Sequence, residues 1–184
     1  TGHGVPGAFM SLLNITYLNE AINEKNIYEP HLIFNHVRER LISAISQDGA
    51  RDGMDGILLC FDRQKGIITY SAANNGPVLR KNNTVMMLPG DKMPVGKDEK
   101  TSSFTLHTIS VDKGDMIYLL TDGYADQFGG NKGKKFRYKQ LEEVLLSVSD
   151  LPVEEQKNSL DKKFEDWRGA LEQVDDVLLI GIKV

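Results

Sequence analysis

The sequence is short of most features that announce a function by themselves. It holds one cysteine in 184 residues, so no internal disulfide can form, and a reducing, cytoplasmic setting is the natural one. No apolar run approaches the roughly 18 residues that span a bilayer, and no signal-peptide pattern is present, so any membrane anchor is expected outside this segment. Cations are in deficit: 22 Lys and Arg stand against 26 Asp and Glu, a net charge of −4. That balance argues against nucleic acid as a main partner, because phosphate-backbone binding wants a basic surface. No Walker-type "GKS" or "GKT" and no Ser, His and Asp arrangement for acyl transfer stand out. His31, His36 and His107 lack metal-ligand spacing and read as surface positions. Finally, no initiator Met and no strand precede the opening "TGHGVPGAFMS", although a glycine loop around a histidine normally has a strand feeding it.

What is present is a soluble globular composition, 40% hydrophobic and 26% charged, sized for one domain over residues 1–184. The first stretch reads as two helices. Phe9, Leu12, Leu13, Ile15, Leu18 and Ile22 suggest a half-buried first helix from Pro6, broken by the polar run 23–29. Ile33, Val37, Leu41 and Ile45 predict a second helix after Pro30. From Met54 the period shortens: "MDGILLCFD", "GIITYSA", "PVLRK", "TVMML", "SSFTLHTISV" and "DMIYLL" predict strands, with "DRQKG" and "KNNT" as antiparallel hairpin turns. Cys60, among Leu58, Leu59 and Phe61, reads as a core residue. Two helical faces follow, Leu141, Val144 and Leu145, then Val153, Leu160, Phe164, Trp167 and Leu171. The closing "DDVLLIGIKV" is almost wholly apolar, which predicts a central, doubly covered strand. This order of elements suggests sheets sandwiched between helices.

Two acidic sites stand out. Asp122 ends the strand "DMIYLL", and Asp175 and Asp176 open the last one; if these strands are antiparallel neighbours, the carboxylates converge on one sheet edge. Clustered carboxylate oxygens suit Mg²⁺ or Mn²⁺ better than zinc. Each motif also has a plain reading, since Asp-Gly is a common turn and paired Asp at a strand start is often merely solvated. Asp55 in "DGMDG" could approach the metal edge but better fits a turn, and for His3 a structural role in its loop outweighs a part in catalysis. The run "GGNKGKKFRYK" is either a solvated loop or a cationic surface able to attract a phosphorylated protein.

"TGHGVPGAFMS", "TDGYADQFGG" and "QVDDVLLIGIKV", in that order, resemble the metal-dependent protein serine/threonine phosphatases of the PPM type, in the bacterial branch related to stage II sporulation protein E. "MDGILLCFD" and "ITYSAANNGPVLR" resemble that branch as well. The resemblance implies an α+β fold, a four-layer α-β-β-α sandwich of two mostly antiparallel sheets flanked by helices. It implies two Mn²⁺ or Mg²⁺ ions held by Asp122 and Asp175, with Asp176 assisting, Gly123 letting the loop pass close, and hydrolysis of phosphoserine or phosphothreonine by a metal-activated water. It also implies regulatory first helices, a phosphoprotein substrate of the anti-sigma-factor antagonist type, and a place in the cytoplasmic part of a larger sensor protein.

One departure from the family pattern matters. The family's bridging Asp, in D-x-T-G-H-G, would fall two residues before Thr1, and strands expected upstream are missing too. The chain is therefore expected to be the C-terminal larger part of such a domain, weak in metal binding and activity, with exposed strand edges that favour a homodimer. A general-acid role does not transfer safely to His3. Two rivals remain: an inactive phosphatase-like module that binds a phosphoprotein or partner, and a nucleotide-binding ATPase. The missing P-loop lysine and the long antiparallel strand series disfavour the second.

Overall fold

The computed structural model describes residues 4–45, 53–99 and 102–184. Helix α1 (Gly4–Asn19) runs on as one π-helical turn (Glu20–Glu24) and is followed by α2 (Pro30–Ile45). Strands β1 (Gly53–Met54), β2 (Gly56–Asp62), β3 (Ile67–Ala73), β4 (Val78–Lys81), β5 (Thr84–Met87), β6 (Val95–Gly96), β7 (His107–Ser110) and β8 (Met116–Leu120) come next. A one-turn helix α3 (Gly123–Asp126), short strands β9 (Phe128–Gly129) and β10 (Lys134–Lys135), helices α4 (Tyr138–Val148) and α5 (Val153–Arg168), and strand β11 (Leu179–Lys183) complete the order. These elements form two compact units, one of residues 1–76 and 89–110, the other of residues 77–88 and 111–184.

In the first unit β2, β3 and β7 make an antiparallel sheet. The "DRQKG" turn forms as expected, because Asp62 Oδ1 accepts the backbone N–H groups of Gln64 and Lys65 at 3.0 and 3.1 Å. Those bonds from Lys65 also hold the Asp62 carboxyl below its ordinary range. Helix α2 buries Ile33, Phe34, Val37 and Leu41, the expected face. Phe34 meets Phe104 edge-on at 5.3 Å within the same core.

The first helix departs from its expected face. Met10, Asn14, Tyr17 and Ala21 are buried, whereas Phe9, Leu12 and Ile15 are exposed. Apolar residues occur all round this helix, so spacing alone could not choose the seam; the packed stripe is the one with intervals of four, three and four. The helix runs two residues into the polar stretch 23–29 and breaks inside it, as expected. Glu20 is held by Arg40 Nε at 3.1 Å and lies 3.4 Å from His36 Nε2, and the break comes only at Lys25 and Asn26, the latter at φ 55°. His36 is thus half-buried, and His107 stacks on Tyr70 at 4.8 Å, so neither is a free surface residue. Cys60 is exposed, a correction to its expected place in the core, although it lies within β2 opposite Thr69 and shares a strand face with the core-packed Leu58.

The second unit carries an antiparallel sheet in the order β11-β8-β4-β5. Asn82 and Asn83, both at positive φ (49° and 60°), make the tight "KNNT" turn between β4 and β5. Helices α4 and α5 pack with Leu141, Leu145, Val148, Leu160 and Phe164 buried. The core includes one closed polar network: the buried Tyr118 hydroxyl donates to Gln156 Oε1 at 2.9 Å, and Gln156 Nε2 donates to the Ser149 and Leu151 carbonyls. Among the described strands β11 pairs only with β8 and so lies at the sheet edge, and Ile180 within it and Leu178 just before it are exposed, so the expected central, doubly covered position is not the one it takes. Unbroken hydropathy reports that neither face is polar; it does not report how many neighbours a strand has.

Candidate active site

The premise for convergent carboxylates is met, since β8 and β11 are antiparallel neighbours in register, Leu120 opposite Leu179. The pairing extends one step past β8 through Thr121. Its N–H donates to the Leu178 carbonyl at 3.1 Å, its hydroxyl donates to the Asp176 carbonyl at 2.8 Å, and the same hydroxyl oxygen accepts the Leu178 N–H at 3.0 Å. Threonine thus does with a side chain what the ladder cannot do once the chain begins to turn.

Gly123 then lies flat against the approaching chain: a β-carbon there would stand 2.5 Å from the Asp176 carbonyl oxygen and 3.2 Å from Val177 Cγ2. Only glycine lets the two loops come this close. Asp122 has helical backbone angles, φ −74° and ψ −16°, and its carbonyl accepts the Asp126 N–H at 2.9 Å. On the facing loop, the Asp176 N–H donates to Asp175 Oδ1 at 2.7 Å, and Gln173 Nε2 donates to the Asp175 carbonyl at 2.8 Å. Asp122 is partly buried, while Asp175 and Asp176 are exposed.

Two supports went unread in the sequence. Gln127 is fully buried; its Nε2 donates to the carbonyls of Phe128 and Glu172, and its Oε1 accepts the Val174 N–H. It ties the segment after Asp122 to the segment before Asp175. Trp167 Nε1 donates to the Gln127 carbonyl at 3.0 Å, and the Trp167 carbonyl accepts the Gly130 N–H at 2.8 Å. Trp167 also meets Phe136 edge-on, within an aromatic cluster that takes in Tyr124 and Phe164. Burial pushes the Tyr124 phenol well up, and its hydroxyl donates to the Leu160 carbonyl at 2.9 Å.

The other candidates lie elsewhere. Asp55 belongs to the first unit, where its Oδ1 accepts Asn74 Nδ2 at 2.7 Å, with Asn74 at φ 64°; this is a turn contact. His3 lies outside the described residues. The carboxylates of Asp122 and Asp175 match Mn²⁺ or Mg²⁺ in donor chemistry. They would supply part of a ligand set, for no group of three or more His, Cys, Asp or Glu able to hold a metal ion occurs among the described residues.

The fold is that of the PP2C-type phosphatase domains. Within that class, the chain belongs to the stage II sporulation protein E (SpoIIE) family, whose model matches residues 1–184. Among solved structures, it is similar to the SiaA-PP2C domain of Pseudomonas aeruginosa, with TM-score 0.89 and 24% identity, over 100% of this chain and 72% of that one. It is similar to the RsbU and RsbW domains of a Mycobacterium tuberculosis protein, with TM-score 0.77 and 18% identity, over 100% of this chain and 49% of that one. RsbX in complex with magnesium matches with TM-score 0.65 and 15% identity, over 98% of this chain and 75% of that one. No curated protein matches the chain. None of the described helices is long and apolar enough to cross a membrane.

Proposed function

We propose that the chain, as a single phosphatase domain, serves a protein serine/threonine phosphatase that hydrolyses phosphoserine or phosphothreonine on a protein substrate in bacterial partner-switching signalling. The observation that carries this reading is the shared edge at which Gly123 meets the Asp176 backbone, with Asp122 and Asp175 flanking the contact. Membership of the SpoIIE family supports it. So does the likeness to a chain that carries RsbU and RsbW domains; the substrate we infer is a phosphorylated anti-sigma-factor antagonist, acted on in the cytoplasm.

In this reading Asp122 and Asp175 hold Mn²⁺ or Mg²⁺, which would supply a water activated for attack on phosphorus without a covalent phosphoenzyme. The remaining work belongs to the protein. Thr121 locks the two loops in register, Gly123 removes the volume that would part them, and the Asp176 N–H orients the Asp175 carboxylate through its Oδ1. Gln127 fixes the chain leading into Asp175, so that the carboxylates do not have to be gathered when substrate arrives.

The test is release of phosphate from a phosphoserine protein with Mn²⁺, by this chain and by a version extended upstream to include the family's D-x-T-G-H-G aspartate. Release that needs the metal and is abolished by Asp122→Asn is the expected result. Activity that survives Asp122→Asn removes the mechanism. Binding of the phosphoprotein with no turnover by either version would support the rival reading, a phosphatase-like binding module.

A further inference from the structure

The fifteen residues 127–141 contain five cations, Lys132, Lys134, Lys135, Arg137 and Lys139, and no acid, in a chain of net charge −4. The segment runs back along the loop that follows Asp122: the Phe136 N–H donates to the Gln127 carbonyl at 3.0 Å and the Arg137 N–H to the Ala125 carbonyl at 2.7 Å. Lys135 has a structural partner, Asp126 at 2.8 Å, and its ammonium lies 5.8 Å from the centre of the Phe128 ring. Lys132, Lys134, Arg137 and Lys139 are exposed and have no carboxylate partner among the described residues. The base of the hairpin is braced by Trp167, which receives Gly130 and leaves no room for a side chain at Gly129. These charges are therefore carried on an anchored hairpin.

Arg137 adds a second, independent signal. Five non-glycine residues have positive φ among the described residues, and four of them are asparagines, which tolerate it. The fifth is Arg137, at φ 71° and ψ 149°, a combination that glycine adopts freely and other residues rarely do. A long, exposed, unpaired cation thus occupies the position where glycine would be the relaxed choice.

We propose that the hairpin residues Lys132, Lys134 and Arg137 form a recognition surface for acidic residues flanking the phosphorylated side chain of a protein substrate. The proposal rests on the phosphatase reading for its choice of ligand, since the surface adjoins the Asp122 loop directly. A phosphate carries close to two negative charges, and neighbouring Asp or Glu extend that charge over the reach of a hairpin. Arginine suits this role because its planar fork grips carboxylate or phosphate with two parallel bonds. Nucleic acid is the weaker fit, because the basic surface is a single hairpin on an otherwise acidic chain.

The experiment is fluorescence anisotropy on this chain with two labelled phosphoserine peptides, one flanked by Asp and Glu, the other by Ala and Gln, and with a short oligonucleotide of matched charge. The acidic peptide should bind about tenfold more tightly than the neutral one, with an advantage that shrinks as salt rises. Arg137→Gly and the double change Lys132→Ala, Lys134→Ala should each remove most of that advantage. Arg137→Gly should do so while melting no lower than the parent, which separates lost recognition from lost folding. Equal affinity for the two peptides, an advantage that outlives both variants, or oligonucleotide binding as tight as that of the acidic peptide would each overturn the proposal. Because the readout is binding, failure of both the chain and its upstream extension to release phosphate would end the phosphatase reading while leaving this comparison decisive.

Discussion

Gly123 and the Asp176 carbonyl touch so closely that a β-carbon on the former would stand 2.5 Å from the latter. Replacement by alanine must therefore part the two loops rather than shift a flexible side chain. Gly123→Ala should cost about 1–3 kcal/mol, as overpacking does, and lower the melting temperature by several degrees. Thermal unfolding checks this; an unchanged midpoint would show that the loops open without cost.

Thr121 is the side-chain rung between the same two loops. Thr121→Val keeps shape and β-branching but removes one donor and one acceptor, leaving the Asp176 carbonyl and the Leu178 N–H without that partner. Because these bonds are solvent-exposed, a loss of about 0.5–1.5 kcal/mol is expected in urea unfolding, whereas Thr121→Ser should recover most of it. Equal losses in the two variants would assign the effect to packing instead.

Arg137 keeps a backbone conformation that glycine relieves. Arg137→Gly should raise stability by up to about 1 kcal/mol, against the usual direction of a change to glycine, because relief at φ 71° outweighs the added freedom of the unfolded chain. Denaturant midpoints measure it, and a clear fall would mean that no strain is held at this position.

Alkaline pH should unfold the protein partly through Tyr118. Burial pushes its phenol up to about 12 from 10.0, with Arg80 opposing, so the folded state keeps the proton in a range where the unfolded chain releases it. The contribution is complete below about pH 10 and is lost as pH rises from there through about 12. Urea unfolding at pH 8, 10 and 11 should show stability falling, and Tyr118→Phe should flatten part of that fall while lowering stability at pH 8. A fall of the same steepness in both proteins would count against Tyr118.

The strands and the meeting of the loop after β8 with the loop before β11 were legible in the sequence because both depend on local pattern: short apolar runs, hairpin turns, and acids at opposite ends of two strands. The α1 seam was not, since Phe9 and Leu12 are as apolar as Met10 and Tyr17, and only the packed α2 chooses between them. Cys60 was misplaced because Leu58, Leu59 and Phe61 beside it are all apolar, and it is exposed even though it shares a strand face with Leu58, which packs against the core. Gln127 was invisible for a different reason. Its partners are Glu172 and Val174, 45 and 47 residues away, and no local signal marks a glutamine as a staple.

β11 is held along its whole length by β8, and the ladder carries on to Val184, whose N–H donates to the Asp115 carbonyl and whose carbonyl accepts the Gly114 N–H. The strand therefore works as a ruler, with one end fixed at Val184 and Asp175 a counted number of residues along it. Adding or removing one residue between them would swap the two faces of the strand and carry Asp175 away from Asp122 by one step. Drift in chain length is thus tolerable between α5 and Glu172 and intolerable from Glu172 onward, where Gln127 pins the chain, which tells a protein engineer where the segment can be lengthened.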